Sequence, residues 1–238
     1  MIEIVVRPAL IACLVAGAGW AVAGEEAVRK SVDAFIGTQA VESVRQIKYG
    51  GLYEVVLNSG EMIYTDAKVS FLIDGRIIDT ATRADVTQAR HAELATIDFS
   101  ILPLENAIKQ VKGDGKRVVV SFEDPNCGYC KRFAQELSKI GNVTIYTFLY
   151  PILGEDSSRK SAHIWCSSDR AAAWNDWMLS GTVPQAAECD GKALDQNLAL
   201  GRKLRINGTP TVFFEDGRRH GGYLAAAQLE EALAALGK

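Results

Sequence analysis

The chain has 238 residues, a length that fits one large domain or two small ones. Hydrophobic residues make up 48% of it and charged residues 23%, so we expect a packed core and exclude an extensively disordered protein. The formal net charge of -3 gives no basis for a nucleic-acid partner, and none is predicted.

Residues 1–23 have the pattern of a secretory signal peptide. Arg7 supplies the positive charge, residues 9–19 form a short apolar run, and Ala21-Val22-Ala23 is an A-x-A cleavage signal. We therefore expect export, with cleavage after about Ala23. Two alternatives are a membrane anchor, for which the run is short of the roughly 20 residues of a span, and a lipoprotein signal ending at Cys13.

Residues 24–80 are predicted to form a small α+β domain. Glu25–Ile36 has apolar residues at helical spacing, and short strand-like runs follow it between turn signals such as Asp74-Gly75. The predicted strands are Val44–Lys48, Tyr53–Leu57, Met62–Thr65, Val69–Ile73 and Arg76–Asp79. A unit of this size buries little surface alone, so we expect it to pack on a second copy of itself.

Residues 81–98 are predicted to be a linker whose polar helix covers Thr82–Ile97, and residues 99–238 a second domain. The predicted elements of that domain are a helix Leu104–Val111, a strand through Val118–Val120, a helix Lys131–Ile140, a strand Asn142–Leu149, a helix-rich stretch Ser157–Leu204, strands Thr211–Glu215 and Arg218–Gly221, and a helix Leu224–Leu236.

The order of these elements is that of a thioredoxin-like fold, of the α+β class, with parallel crossover strand pairs and an antiparallel final hairpin. The stretch between Cys130 and Pro210 is much longer than a minimal fold of this type needs. We therefore predict an inserted helical subdomain at about residues 155–205.

The pair Cys127-Gly128-Tyr129-Cys130 lies between a predicted strand and a predicted helix. A helix start offers unpaired N–H groups and the positive end of a dipole, and both stabilise a thiolate. Cys127, nearer the helix start, is therefore the predicted attacking sulfur. Cys130, one turn further on, is predicted to close a disulfide with it and release an attached partner.

Two further cysteines, Cys166 and Cys189, remain after removal of the signal peptide. An even count in an exported protein favours disulfides, and pairing Cys127 with Cys130 leaves a structural Cys166–Cys189 disulfide. The alternative is a structural zinc site, in which His163 and Cys166 join the CxxC pair as ligands. We expect neither a metal nor a cofactor.

The segment Asn207–Thr211 contains a proline directly before an apolar strand, an awkward position for a central strand. A cis peptide bond between Thr209 and Pro210 resolves this by turning the chain sharply. We expect this loop to face Cys127, where the backbone of Thr209 binds an extended substrate segment.

Together, Asp124–Phe133, Ile164-Trp165-Cys166, Cys189-Asp190 and Gly208-Thr209-Pro210 closely resemble the periplasmic thiol:disulfide interchange proteins of the DsbC/DsbG family, and Gly51–Asp79 resembles that family's dimerisation domain. The resemblance covers nearly the whole mature chain. It implies a thioredoxin-like domain after a small N-terminal α+β (cystatin-like) domain, and a V-shaped homodimer with two CxxC sites facing an uncharged cleft. DsbG lacks the second cysteine pair, which favours the DsbC branch.

The implied function is isomerisation and reduction of non-native disulfides in misfolded exported proteins, with a membrane reductase of DsbD type keeping Cys127 and Cys130 reduced. Gly128, Tyr129, Thr209 and Pro210 are the implied substrate contacts. Alternatives are a DsbG-like reductase or chaperone, a dithiol oxidase of the same fold, and a binding protein with a merely structural CxxC.

Four charged neighbours of the pair have open roles. Glu123 and Asp124 either assist proton movement at Cys130 or serve the turn, and Lys131 and Arg132 either add positive potential or form a solvated helix face. Three tryptophans, Trp165, Trp174 and Trp177, are predicted to be core residues of the helical insert.

Overall fold

The computed structural model describes residues 18–237, with side chains from 24 to 236. Most of the predicted signal peptide therefore lies outside the described residues. The chain divides into two compact units, one ending at Ile77 and the other starting at Ile78. Within the described part of the chain, none of the helices combines the length and apolar character that crossing a membrane requires.

The first unit is one helix packed on a three-stranded antiparallel sheet of order β1-β2-β3. Its elements are α1 (Ala18–Ile36), β1 (Val41–Gln46), β2 (Tyr53–Leu57) and β3 (Met62–Thr65). Val28 and Val32 of α1 are completely buried and share a cluster with Val55 and Ile63 of the sheet. The predicted bounds of β2 and β3 are confirmed, whereas β1 starts earlier than expected.

The predicted strands Val69–Ile73 and Arg76–Asp79 are wrong. Each contributes only an isolated bridge, between Tyr64 and Ile73 and between Ile78 and Asp85. Among the described residues, the only strand available to the first of these segments is β3, the edge strand of its sheet. The two form a single bridge, at Tyr64, and no continuous series of backbone hydrogen bonds. Alternating apolar residues without a continuous neighbouring strand stay irregular.

The second unit contains a five-stranded mixed sheet with helices around it. Its elements are α2 (Val86–Leu94), β4 (Ile108–Lys112), β5 (Arg117–Glu123), α3 (Gly128–Ser138), β6 (Val143–Leu149), α4 (Glu155–Cys166), α5 (Arg170–Asn175), a π-helical turn (Asp176–Ser180), α6 (Lys192–Lys203), β7 (Thr211–Phe214), β8 (Arg219–Gly221) and α7 (Ala226–Ala234). The predicted polar helix is therefore shorter than expected, and the helix-rich stretch consists of the three α-helices α4, α5 and α6 with the π-helical turn between α5 and α6.

The strand order of this sheet is β4-β6-β5-β7-β8. The pair β5–β6 is parallel and the final hairpin β7–β8 is antiparallel, as predicted. The pair β5–β7 is antiparallel, so the prediction of parallel crossover pairs is wrong there. The CxxC pair lies on the connection between β5, the central strand, and its neighbour β6.

The predicted helix Leu104–Val111 is wrong as well. Leu104–Asn106 forms a single 3-10 turn, and the rest of the segment is the edge strand β4, paired antiparallel with β6. Ile108 is buried while Val111 is 56% exposed. Because an edge strand buries so few side chains, its sequence pattern resembled a short helix, and tertiary pairing decided the outcome.

Successive residues of β5 face opposite sides of the sheet. Val119 packs with Phe133 and Leu137 of α3 on one side. Val120 and Phe122 pack on the other side, where the Phe122 ring stacks on Phe148 with 4.7 Å between ring centroids. The side chains that follow Val119 by two and four positions, Ser121 and Glu123, therefore point towards α3.

Candidate active site

Cys127 lies at the junction between β5 and α3. The strand ends at Glu123, a tight turn follows, and α3 begins at Gly128 with Cys127 as its N-cap. The Cys127 sulfur accepts a hydrogen bond from the backbone N–H of Cys130 at 3.4 Å. It thus occupies the position where helix N–H groups lack intrahelical partners, which favours negative charge on the sulfur.

The two sulfurs differ in environment and in acidity. The pKa of Cys127 is lowered to about 5, chiefly by hydrogen bonding from the Cys130 thiol and further by Thr209 and by the N–H groups of Cys130 and Tyr129. Burial raises the pKa of Cys130, which is 0% exposed, and the charges of Glu123 and Cys127 raise it further. At neutral pH Cys127 is therefore a thiolate and Cys130 a thiol.

The proline loop faces this pair. The peptide bond between Thr209 and Pro210 is cis, and the Cys127 thiol lies 3.2 Å from the carbonyl oxygen of Thr209, to which it donates when protonated. Thr209 is half-buried and Pro210 is buried. The loop and the CxxC pair, more than 80 residues apart in sequence, thus meet at one surface.

The residues between the cysteines are at the surface. Gly128 is exposed, and a side chain added there would meet nothing within 4 Å. The Tyr129 ring is 59% exposed and lies under the guanidinium of Arg132, 5.5 Å from ring centroid to Cζ. Both residues are accessible to a bound polypeptide beside Cys127.

Lys131 is directed at an aromatic ring. Its ammonium lies 4.1 Å from the centroid of Trp177, and Lys160 lies 4.3 Å from the same centroid. Trp177 is only partly buried, and its indole N–H donates to the carbonyl of Pro125 at 2.6 Å. Trp177 is therefore a support of the active-site turn as well as a member of the insert core, a role that its sequence position did not indicate.

Asp124 organises the turn. Its buried carboxylate accepts hydrogen bonds from the backbone of Asn126 at 2.8 Å and from the hydroxyl of Ser157 at 2.7 Å. It also accepts from the N–H groups of Ile152 and Leu153, at 2.8 and 2.9 Å. Both oxygens of this carboxylate accept two hydrogen bonds each, so Asp124 holds the turn and the segment after β6 together.

Glu123 is also completely buried, but it is less well satisfied. Ser121 donates to its Oε1 at 2.6 Å, while Oε2 has no hydrogen-bond partner among the described side chains and backbone. Burial raises the pKa of Glu123 to about 8, and the charge of Cys127 adds to the shift. Glu123 is therefore largely protonated at neutral pH when Cys127 is a thiolate.

Cys166 and Cys189 are joined in a disulfide that ties the end of α4 to the segment before α6. Since Cys166 is bonded to Cys189, it has no thiolate to offer a metal, and the alternative zinc site with His163 is wrong. Across residues 18–237, no group of three or more His, Cys, Asp or Glu side chains is arranged to hold a metal ion.

The arrangement suits thiol–disulfide exchange. A thiolate attacks a disulfide sulfur, and a second thiol directly behind it can displace the attached partner. Cys127 and Cys130 lie within the cluster formed by Ile164, Trp165 and Trp174 of the insert, so the pair is held by α4 and α5 as well as by α3.

Comparison with known proteins agrees with this chemistry. Residues 104–237 match the family described as thioredoxin-like domain, and residues 20–88 match the family described as disulfide bond isomerase protein N-terminal domain. A Bordetella pertussis protein named probable thiol:disulfide interchange protein DsbC is 50% identical over 193 residues, 81% of this chain and 68% of that protein.

A more distant relative extends the similarity over almost the full length, and a solved structure covers about half of the chain. The Escherichia coli thiol:disulfide interchange protein DsbC is 27% identical over 228 residues, 94% of this chain and 93% of that protein. The crystal structure of a disulfide interchange protein from Neisseria gonorrhoeae has 42% sequence identity and a TM-score of 0.54, covering 56% of this chain and 97% of that one. With the thioredoxin-like fold and an N-terminal isomerase domain in one chain, this enzyme belongs to the DsbC family of thiol:disulfide interchange proteins.

Proposed function

We propose that Cys127 is the nucleophile and Cys130 the resolving cysteine of this interchange reaction, and that its main outcome is isomerisation of non-native disulfides. The observation that carries the proposal is the contrast between the two sulfurs. One caps α3 with a lowered pKa, and the other is buried behind it with a raised pKa.

The Cys127 thiolate attacks a wrong disulfide and forms a mixed disulfide with one substrate sulfur, while the other substrate sulfur leaves as a thiolate. If a substrate thiolate then attacks elsewhere and displaces Cys127, the substrate is isomerised and the enzyme stays reduced. If Cys130 attacks Cys127 instead, the substrate leaves reduced and the enzyme becomes oxidised. A supply of electrons is then needed, and a membrane reductase of DsbD type is the proposed source.

Substrate binding is assigned to the surface around Cys127. Gly128 and Tyr129 are exposed directly after Cys127 in sequence, and the carbonyl oxygen of Thr209, next to Pro210, lies 3.2 Å from the Cys127 sulfur. An extended substrate segment placed between them would present its disulfide to Cys127 while its backbone pairs beside Thr209. Such main-chain recognition tolerates many sequences, which suits an enzyme acting on misfolded exported proteins.

The remaining assignments concern the whole protein. We place it in the periplasm after cleavage at about Ala23, with residues 24–80 as the dimerisation domain, residues 81–98 as a linker and residues 99–238 as the catalytic domain. The exposed Phe35 and Phe71 support a partner surface on the first unit, because large apolar side chains at the surface favour contact with another chain.

The test is refolding of a scrambled, multiply disulfide-bonded protein by the purified mature enzyme in a glutathione buffer. Cys127→Ser is expected to lose the activity, because its hydroxyl cannot attack a disulfide. Cys130→Ser is expected to keep mixed-disulfide formation and accumulate trapped substrate. Full activity of Cys127→Ser would contradict the proposal and favour a binding protein with a structural CxxC.

A further inference from the structure

Trp177 contacts the chain on both sides of Cys127. Its indole N–H donates to the carbonyl oxygen of Pro125, two positions before Cys127, at 2.6 Å. The ammonium of Lys131, four positions after Cys127, lies 4.1 Å from the centroid of the same ring. One side chain of the helical insert therefore spans the junction between the active-site turn and the first turn of α3.

The hydrogen bond from the indole serves a carbonyl group that needs a partner. Pro125 is buried, and a buried carbonyl oxygen without a donor is unfavourable. Trp177 reaches this oxygen from the π-helical turn that directly follows α5. Turns of this kind are rare in proteins and are frequently found at functional sites.

A second cation holds the indole from α4. The Lys160 ammonium lies 4.3 Å from the ring centroid of Trp177 and donates to the side-chain oxygen of Asn126 at 2.9 Å. Lys160 also forms an ion pair with Asp156. Because Asn126 directly precedes Cys127, the insert holds both residues before the sulfur, one through the indole N–H and one through this lysine.

We propose that Trp177 is a positioning residue for thiol–disulfide exchange, which joins the turn before Cys127 to the start of α3 and so keeps the sulfur at the helix N-terminus. This inference rests on the proposed role of Cys127 as the nucleophile. The sulfur accepts the N–H of Cys130 at 3.4 Å, and this contact depends on the orientation of the turn relative to the helix. Trp177 fixes that orientation without touching the reacting sulfurs.

The other groups that act on Cys127 are independent of the indole. Cys130 on α3 and Glu123 on β5 are titratable groups coupled to Cys127, and the carbonyl oxygen of Thr209 lies 3.2 Å from its sulfur. All three stay in place when Trp177 is substituted. A change in the acidity of Cys127 in Trp177 variants therefore reports the geometry at the helix start.

The experiment measures the pH dependence of Cys127 alkylation in the reduced mature protein. Trp177→Phe keeps a ring for the lysines but has no N–H group, and Trp177→Leu has neither. We expect the midpoint to rise by about one pH unit in Trp177→Leu and by about half of that in Trp177→Phe, because the turn loses its hold. Below the midpoint, alkylation of Trp177→Leu should be about tenfold slower, with the wild-type rate at high pH.

A double-mutant cycle tests the link to α3. Lys131→Met removes the cation from the ring and should raise the midpoint in the wild-type background, but not in Trp177→Leu, where the ring is missing. A direct effect of the lysine charge on the sulfur would be equal in both backgrounds. Lys109→Met is the matched control, at a lysine that lies 5.7 Å from the ring centroid of Tyr146, and it should keep the wild-type midpoint.

Urea unfolding shows which variants are folded. A wild-type midpoint in folded Trp177→Leu, or in Trp177→Phe should the leucine variant not fold, would overturn the inference. An equal effect of Lys131→Met in both backgrounds would overturn the link from the indole to α3. A wild-type Cys127 that titrates like an ordinary thiol would instead overturn the proposed function beneath it.

Discussion

Cys127 and Cys130 are three positions apart and have opposite acid–base character. Helix capping exposes Cys127 to N–H groups and to the Cys130 thiol, which lower its pKa. One turn of helix buries Cys130 completely, and burial raises its pKa. Position along the helix thus separates the acidities of the two sulfurs in the direction that the proposed roles of nucleophile and resolving cysteine require.

The sulfurs were predictable from sequence because the strand–CxxC–helix context fixes their local geometry. The supporting residues were not. Trp177 reaches the carbonyl of Pro125 from a π-helical turn, and Asp124 gathers donors from the segment after β6. These contacts depend on how the insert folds back over the turn, and no local pattern encodes that. Glu123 could be named as a candidate but not distinguished from Asp124, since only burial and partners separate them.

Glu123 gives a prediction at the level of one side chain. Its pKa is raised from 4.5 to about 8, so it favours the folded state below pH 4.5 and that contribution is lost as pH rises towards 8. Glu123→Gln has no carboxyl group to ionise, so its stability does not fall with pH in this way. In the oxidised protein burial still raises the pKa of Glu123. As pH rises from 4.5 to 8, the free energy of unfolding of the variant should therefore increase relative to that of the wild type by a few kcal/mol, at about 1.4 kcal/mol per pKa unit.

Urea unfolding of both oxidised proteins at the two ends of this pH range measures the difference. Glu136→Gln is the control, because Glu136 is not part of the buried cluster around the cysteines. A constant stability difference between Glu123→Gln and the wild type across the range would show that the carboxyl does not titrate as expected.

At the scale of elements, the turn between β5 and α3 depends on one carboxylate. Asp124→Ala leaves the N–H groups of Asn126, Ile152 and Leu153 and the Ser157 hydroxyl without their acceptor. Because one buried and three part-buried donors then lose their acceptor, we expect a loss on the order of 3 kcal/mol in the free energy of unfolding. Asp156→Ala, at a neighbouring carboxylate of intermediate burial that pairs with Arg159 and Lys160, should cost much less, and an equal loss in both variants would contradict this role.

The disulfide between Cys166 and Cys189 gives a second prediction at this scale. It closes a loop with a sequence separation of 23 residues. Replacing both cysteines with alanine is expected to lower the free energy of unfolding by about 3 kcal/mol, since the unfolded chain regains the loop entropy. In this double variant the rate of Cys127 alkylation at neutral pH should equal that of the wild type. A large change in that rate with little loss of stability would assign the disulfide a part in the chemistry.

Strands were predictable from the sequence where both faces of the sheet are buried, and less predictable at the edges of the sheets. The centre of the sheet follows directly from apolar runs such as Val118–Val120, and β5 and β6 lie where expected. The edge strand β4 was misread as a helix, and two irregular segments after β3 were misread as strands. At an edge, pairing with a distant strand decides the structure, and the local sequence holds little information about it.

At the scale of the whole molecule, the central prediction is dimerisation through the first unit. The Phe35 side chain is 73% exposed and that of Phe71 is 44% exposed. Phe35→Glu combined with Phe71→Glu should weaken dimerisation on the order of 10²-fold or more, because charges replace apolar contacts. Light scattering over a concentration series measures this.

The control for that experiment is Val183→Glu in the second unit, where a similarly exposed apolar residue, 67% accessible, is replaced. Dimers of equal strength in the wild type, the double variant and the control would exclude this surface as the interface. A monomeric double variant that still exchanges disulfides but isomerises poorly would connect dimerisation to isomerase activity.

The most direct test of the whole account is the pH dependence of Cys127 alkylation in the reduced protein, with the modified residue located by mass spectrometry. The account predicts that the reactive thiolate appears with a midpoint near pH 5, as the lowered pKa of Cys127 requires. A midpoint near that of an ordinary thiol, about 8.5, would contradict it.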